Sequence, residues 1–208
     1  MYIRHVVYMV FKRLMDIMFG LVGAVCLVPL MLTVKILFLA SGDKTSIFYS
    51  QTRVGLDGKT FQLIKFRSMV FNAEEMLEEL LKNPEYAKEW EENQKLEHDP
   101  RITKVGRFLR RASLDEVPQF INVLKGDMSV VGPRPLVVGE LEQHGGQQLY
   151  NRVKPGITGW WGCNGRSNTT YSEWLEPEYY YVRNCSLWLD ALRMIKTVAV
   201  LFKRDGAK

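Results

Sequence analysis

An uncharged, apolar run over residues 17–34, with a proline at position 29, constrains this chain more than any other feature. About 18 such residues is the length at which a bilayer segment is expected. A cleavable signal is excluded, because Pro29 is followed by more apolar residues and then Lys35, where a small-residue cleavage site should stand. Arg4, Lys12 and Arg13 precede the run and Lys35, Lys44 and Arg53 follow it, so positive charge pulls both flanks to the cytoplasmic side. Pro29 lacks an amide hydrogen and would break a helix midway, while Gly20, Gly23 and Ala24 permit close packing at a bend. The expectation is a re-entrant helix within residues 1–40, entering and leaving on one face, with residues 2 and 205 both cytoplasmic. Residues 41–208 then form a domain on that face. The alternative is a single kinked transmembrane helix.

A chain of 208 residues is long enough for one core. Its net charge of +5 hides an asymmetry: residues 71–99 hold ten acidic and three basic side chains, and the remainder is markedly basic. A basic body calls for anionic partners, and the apolar run favours phospholipid head groups and phosphorylated substrates over nucleic acid. Cys26, Cys163 and Cys185 are odd in number and widely spaced, which argues against a disulfide framework and a zinc site and fits a reducing cytosol. His5, His98 and His144 have no spacing that points to a metal or a triad.

The expected fold class is α+β and mainly helical, with a small β-hairpin and amphipathic interfacial helices around a compact core. Residues 46–54 and 60–66 read as two strands around Gly55-Leu56-Asp57-Gly58-Lys59, since Asp-Gly supports positive φ. Lys65 and Arg67 would lie on one face, where two cations could meet a diphosphate or simply face solvent. Residues 73–81 and 86–96 read as acidic surface helices with no assigned chemistry. Residues 102–112 form a basic amphipathic pattern, with Ile102, Val105, Phe108 and Leu109 opposite Lys104, Arg107, Arg110 and Arg111. Residues 187–204 carry a broad apolar face with basic edges, suited to the interfacial plane. Trp160, Trp161 and Trp174 read as core and interface anchors, with stacking on a uridine ring as the alternative.

Chemistry concentrates in two runs. Ala112-Ser113-Leu114-Asp115-Glu116-Val117-Pro118-Gln119 sets adjacent carboxylates beside Arg107, Arg110 and Arg111. A carboxylate near cations is kept ionised and can attack phosphorus or hold a divalent metal. Downstream, Pro133-Arg134-Pro135 locks an arginine between prolines, pre-organised to fork onto a phosphate.

Together with Lys65-Phe66-Arg67-Ser68-Met69, Lys154-Pro155-Gly156-Ile157-Thr158-Gly159-Trp160 and Asn164-Gly165-Arg166, these runs resemble the bacterial sugar transferases, the monotopic phosphoglycosyl transferases. The resemblance spans nearly the whole chain. It implies transfer of a sugar 1-phosphate from a UDP-sugar to undecaprenyl phosphate, releasing UMP, at the cytoplasmic face of the bacterial inner membrane. It further implies a catalytic Asp115–Glu116 dyad with Mg²⁺, in which Asp115 forms a covalent phosphosugar intermediate. Glu116 serves there either as a metal ligand or as a general base. Candidate substrate-binding residues are Lys65, Arg67, Arg110, Arg134, Arg166 and Asp190, the last being a functional position by resemblance and an ordinary helix-face acid otherwise. The region 71–103 is similar to the hexose branch, which implies UDP-galactose or UDP-glucose as donor in polysaccharide assembly and makes the chain look like a minimal core. Alternatives are an N-acetylated UDP-sugar, or a peripheral membrane-binding module without catalysis; a homodimer is left open.

Overall fold

The computed structural model of the chain describes residues 2–93, 96–143, 148–160 and 171–203. Helix α1 (Tyr2–Ala40) is followed by an antiparallel hairpin of β1 (Phe48–Val54) and β2 (Thr60–Phe66). The hairpin forms where the sequence places it. Asp57 and Gly58 both adopt positive φ, 55° and 77°, as the reversal of the chain requires.

Next come α2 (Ala73–Leu80), α3 (Pro84–Asn93) and α4 (Lys104–Arg111), whose first turn is capped by the Thr103 hydroxyl accepting from Gly106 N at 2.9 Å. A 3-10 turn at Leu114–Glu116 leads into α5 (Gln119–Lys125). Two short strands, β3 (Ser129–Val131) and β4 (Gly156–Thr158), pair in parallel, with α6 (Glu140–Gln143) in the crossover. The chain then runs through α7 (Tyr171–Asn184) and α8 (Leu187–Lys203).

Pro29 does not end α1, contrary to the expected break, and helical structure runs from Tyr2 through to Ala40. Packing explains why. Lys12, Asp16, Gly20, Gly23, Leu27, Val34 and Phe38 are buried at helical spacing, so one stripe of α1 is laid against the rest of the fold on both sides of the proline. Gly23 is required in this stripe, because a Cβ there would lie 2.2 Å from the Phe120 ring of α5.

The opposite face of α1 carries exposed Leu14, Met18, Leu21, Val25, Val28, Leu32 and Ile36. Helix α8 repeats the inversion. Its Asp190 and Arg193 are buried while Trp188, Ile195 and Val198 face outward, with Trp188 74% exposed. Two helices with charges inside and large apolar side chains outside are not the pattern of a water-facing surface. Among the described residues, one helix, over residues 6–40, is long and apolar enough to cross a membrane.

Leu27, Val34, Phe38, Ile47, Phe66 and Leu109 make one core between α1, the hairpin and α4. A second joins Leu63, Val123, Met128, Val130, Val131 and Tyr181. Together they fix β2 and α5 on either side of the Leu114–Glu116 turn.

Candidate active site

Ser113 enters the 3-10 turn in the left-handed region, φ 54°, an uncommon place for a residue with a side chain. The reversal sets Asp115 and Glu116 against the end of β2, where Lys65 Nζ lies 3.3 Å from Glu116 Oε1. Arg110, on the last turn of α4, donates from Nε to Ser68 Oγ at 2.9 Å. That contact depends on Gly106: a Cβ there would come within 1.8 Å of the Ser68 carbonyl oxygen, so only glycine lets α4 lie directly on this backbone.

Asp115, Glu116, Lys65, Arg67 and Arg110 all border one cavity of about 700 Å³. The structure therefore gathers five of the predicted site residues. Tyr49 and Gln51 of β1, residues 72–75 at the start of α2, Trp90 of α3 and Arg101 complete much of the lining.

The electrostatics at Asp115 pull in two directions. Burial, and then the neighbouring Glu116 charge, push the Asp115 carboxyl above its ordinary pKa; Lys65 and Arg110 pull it down without prevailing. Burial lowers the Arg110 pKa, with Asp115 and Asp99 opposing.

Arg67 borders the cavity but engages each of its three nitrogens elsewhere. Its Nε donates to Ser46 O at 2.8 Å, Nη1 to Met69 O at 2.7 Å, and Nη2 to Asp43 Oδ2 and Thr45 Oγ1 at 2.8 and 2.6 Å. Its guanidinium also lies 4.8 Å from the centre of the Phe38 ring. Hydrogen bonds from Thr45 and Arg67 hold Asp43 at a pKa of about 2. Arg67 thus pins the segment after α1 to the exit of β2, and the expected pairing with Lys65 on a diphosphate is not what its donors do.

Arg134 and Asp190 are not among the residues lining the cavity. Arg134 is exposed, with its carbonyl accepting from Tyr150 at 2.9 Å. Asp190 is fully buried beside Lys12 Nζ at 2.9 Å and accepts from Tyr181 and Tyr8 hydroxyls at 2.6 and 3.2 Å. Burial, and then the Asp190 charge, raise the Tyr181 pKa well above its usual value. Arg166, with Trp161 and Cys163, lies outside the described residues, as does the side chain of Trp174.

Three features were missed in the sequence. Asp16 accepts from Ser129 Oγ and Val130 N at 2.8 and 2.9 Å, locking α1 to β3. Its lone negative charge four residues after Lys12 was a usable signal. Asp99 and Arg101 form a buried bidentate pair at 2.9 and 2.7 Å, with Arg101 5.3 Å from the Trp90 ring centre. Burial raises the Asp99 pKa, but the Arg101 hydrogen bonds outweigh it and the net direction is down. The third feature is the first turn of α2, expected to be a plain solvated surface, which lines the cavity instead.

Among the described residues no three His, Cys, Asp or Glu side chains gather as a metal cluster. Two adjacent carboxylates at a roomy cavity nevertheless fit Mg²⁺, which takes one or two protein carboxylates and fills its shell with water and substrate phosphates.

The sequence profile of the family described as bacterial sugar transferase matches residues 7–204. The chain is 45% identical over 200 residues to the UDP-galactose-lipid carrier transferase of Erwinia amylovora, covering 94% of this chain and 42% of that protein. It is 46% identical over 198 residues to the undecaprenyl-phosphate galactose phosphotransferase of Salmonella typhimurium, covering 94% and 41%. Against the exopolysaccharide production protein ExoY of Sinorhizobium fredii it is 41% identical over 198 residues, covering 94% and 87%. The chain thus spans about two fifths of the first two relatives and most of the third.

Proposed function

The chain belongs to the bacterial sugar transferase family, and on that premise we propose that it transfers a hexose 1-phosphate from a UDP-hexose to undecaprenyl phosphate. The observation that carries this reading is Asp115, a carboxylate bordering a substrate-sized cavity with Lys65 and Arg110 close enough to act on its charge.

In the proposed reaction an Asp115 carboxylate oxygen attacks the β-phosphorus of the donor. The bond from that phosphorus to the bridging oxygen breaks, UMP leaves with the electron pair, and the sugar phosphate stays on Asp115 as an acyl phosphate. A phosphate oxygen of undecaprenyl phosphate then attacks the same phosphorus. The bond to Asp115 breaks, its carboxylate is restored, and a pyrophosphate-linked lipid is released. Lys65 and Arg110 offset charge on the transferring group, and Arg110 is steadied by Ser68. Mg²⁺, held by Asp115 and Glu116, would supply neutralisation of the phosphate charge.

We also place the chain at the cytoplasmic face of the inner membrane as a monotopic protein. Support comes from Lys12 and Phe38, near the two ends of α1, which are both buried against the rest of the fold while the intervening outer face is apolar. A helix wrapped by lipid on all sides could not bury that stripe.

Stoichiometric UMP release from UDP-galactose or UDP-glucose, in detergent with undecaprenyl phosphate, is the expected result. UDP as the product would refute the mechanism. For topology, single cysteines at positions 2 and 44 in a chain lacking Cys26, Cys163 and Cys185 should both resist a membrane-impermeant thiol reagent on intact spheroplasts. Labelling of position 2 alone would establish a spanning helix.

A further inference from the structure

The cavity has chemically different walls. Lys65 and Arg110 stand beside the dyad, whereas the start of α2 contributes Asn72, Glu74 and Glu75, α3 contributes Trp90 and β1 contributes Tyr49. Tyr49 and Glu74 are electrostatic neighbours: burial, and then the Glu74 charge, raise the Tyr49 pKa. A phenolic hydroxyl and a carboxylate from different elements therefore border the same stretch of the cavity. Trp90 stacks against Arg101, which also borders the cavity and is held by Asp99, so a buried ion pair steadies the indole.

A nucleotide sugar is itself two-sided. Its diphosphate carries negative charge, and its hexose is neutral with hydroxyls on every edge. Like charges repel and opposite charges attract at such a partly desolvated surface. The diphosphate is therefore drawn to Lys65 and Arg110, beside the carboxylate pair that would also hold Mg²⁺, rather than to Glu74. The hexose suits the other wall, where a carboxylate accepts from hydroxyls through charge-assisted bonds and an indole face covers the ring. We infer that Glu74, Tyr49 and Trp90 form the sugar-reading wall of this cavity, so that the acidic segment after the hairpin selects the donor hexose. This assignment rests on the reading of the cavity as the UDP-sugar site.

The test measures kcat/KM for UDP-galactose, UDP-glucose and UDP-N-acetylglucosamine on the full chain in detergent, with inhibition by UMP, which has no sugar, measured alongside. Glu74→Gln should lower kcat/KM for the preferred hexose donor roughly 10- to 100-fold and compress discrimination among donors at least tenfold. UMP inhibition should stay within twofold. Tyr49→Phe, which removes a hydroxyl and keeps the ring, should shift the donor ratio in the same direction with an unchanged melting temperature. Equal loss on all donors, or parallel weakening of UMP inhibition, would assign the wall to the phosphates or to general packing and overturn the inference. If the wild-type chain releases UMP from none of the donors, the proposed function itself falls, an outcome distinct from intact turnover with unmoved selectivity, which defeats the wall alone.

Discussion

Asp115 and Asp190 are both acids with a lysine at hand, and the fold uses them in opposite ways. Asp190 is saturated: Lys12, Tyr8 and Tyr181 converge on its two oxygens, and none of its surface is exposed. Among the described residues no side chain hydrogen-bonds or ion-pairs with Asp115, which borders open volume. The same division separates the arginines, since Arg67 spends every nitrogen on protein acceptors while Arg110 contacts one neutral hydroxyl. Saturated charges hold elements together. Unsaturated ones, poised at a cavity, remain available for a ligand.

The sharpest break of that contrast is Asp115→Asn. Turnover should fall on the order of 10⁴-fold or more, because the nucleophile is gone. Stability should not fall. A carboxyl whose folded-state pKa is raised binds protons more readily in the folded state, so its contribution to stability declines as pH climbs from the unfolded value through the folded one. Removing the charge at neutral pH relieves that cost, and a thermal melt of the variant should show a midpoint no lower than the parent's.

Asp190→Asn should do the reverse. Leaving Lys12 buried without its counter-charge costs about 3–5 kcal/mol, readable by denaturant unfolding, while the folded fraction keeps its kcat. The double variant Lys12→Met, Asp190→Leu should recover most of the loss. Should Asp190→Asn abolish turnover with the unfolding transition unmoved, Asp190 belongs to the site and the contrast collapses.

A smaller effect is expected from Gly106→Ala. The new methyl meets the Ser68 carbonyl, so α4 must shift at a cost of about 1–3 kcal/mol, carrying Arg110 away from Ser68 and lowering kcat with it. Lys65→Met is read through its pH profile, apart from the lower kcat/KM that losing a cation beside the transferring phosphate brings. Deleting a charge that pulls the Asp115 pKa down moves the acid limb of the kcat/KM profile to higher pH. A limb that stays in place or moves the other way would separate Lys65 from the acid.

Local features were legible in the sequence. The hairpin announced itself through Asp57-Gly58, and the dyad, Lys65 and Arg110 were recognisable as chemistry-bearing residues that the fold then brings together. What escaped depends on distant partners. Three-residue strands such as β3 and β4 show no periodicity to read. Arg67 looks like a phosphate ligand until the segment after α1 folds back onto it. Trp90 and Glu74 look like ordinary surface until their helices stand beside the dyad. The i, i+4 spacing of Lys12 and Asp16 hints that they share a face, but their partners, Ser129 and Val130 for Asp16 and Asp190 for Lys12, lie more than 100 residues away and cannot be read locally.

Those partners also set an order of events during synthesis. Tyr8 waits 182 residues for Asp190, and Asp16 waits 113 for Ser129. At about 5–20 residues per second, the ribosome takes on the order of ten seconds or more to deliver Asp190. Through that interval α1 holds charges that have not met their mates, and it settles into its final seat only as translation nears completion. Nascent chains stalled before residue 190 should therefore be cut readily by protease within α1, and chains stalled beyond α8 should resist.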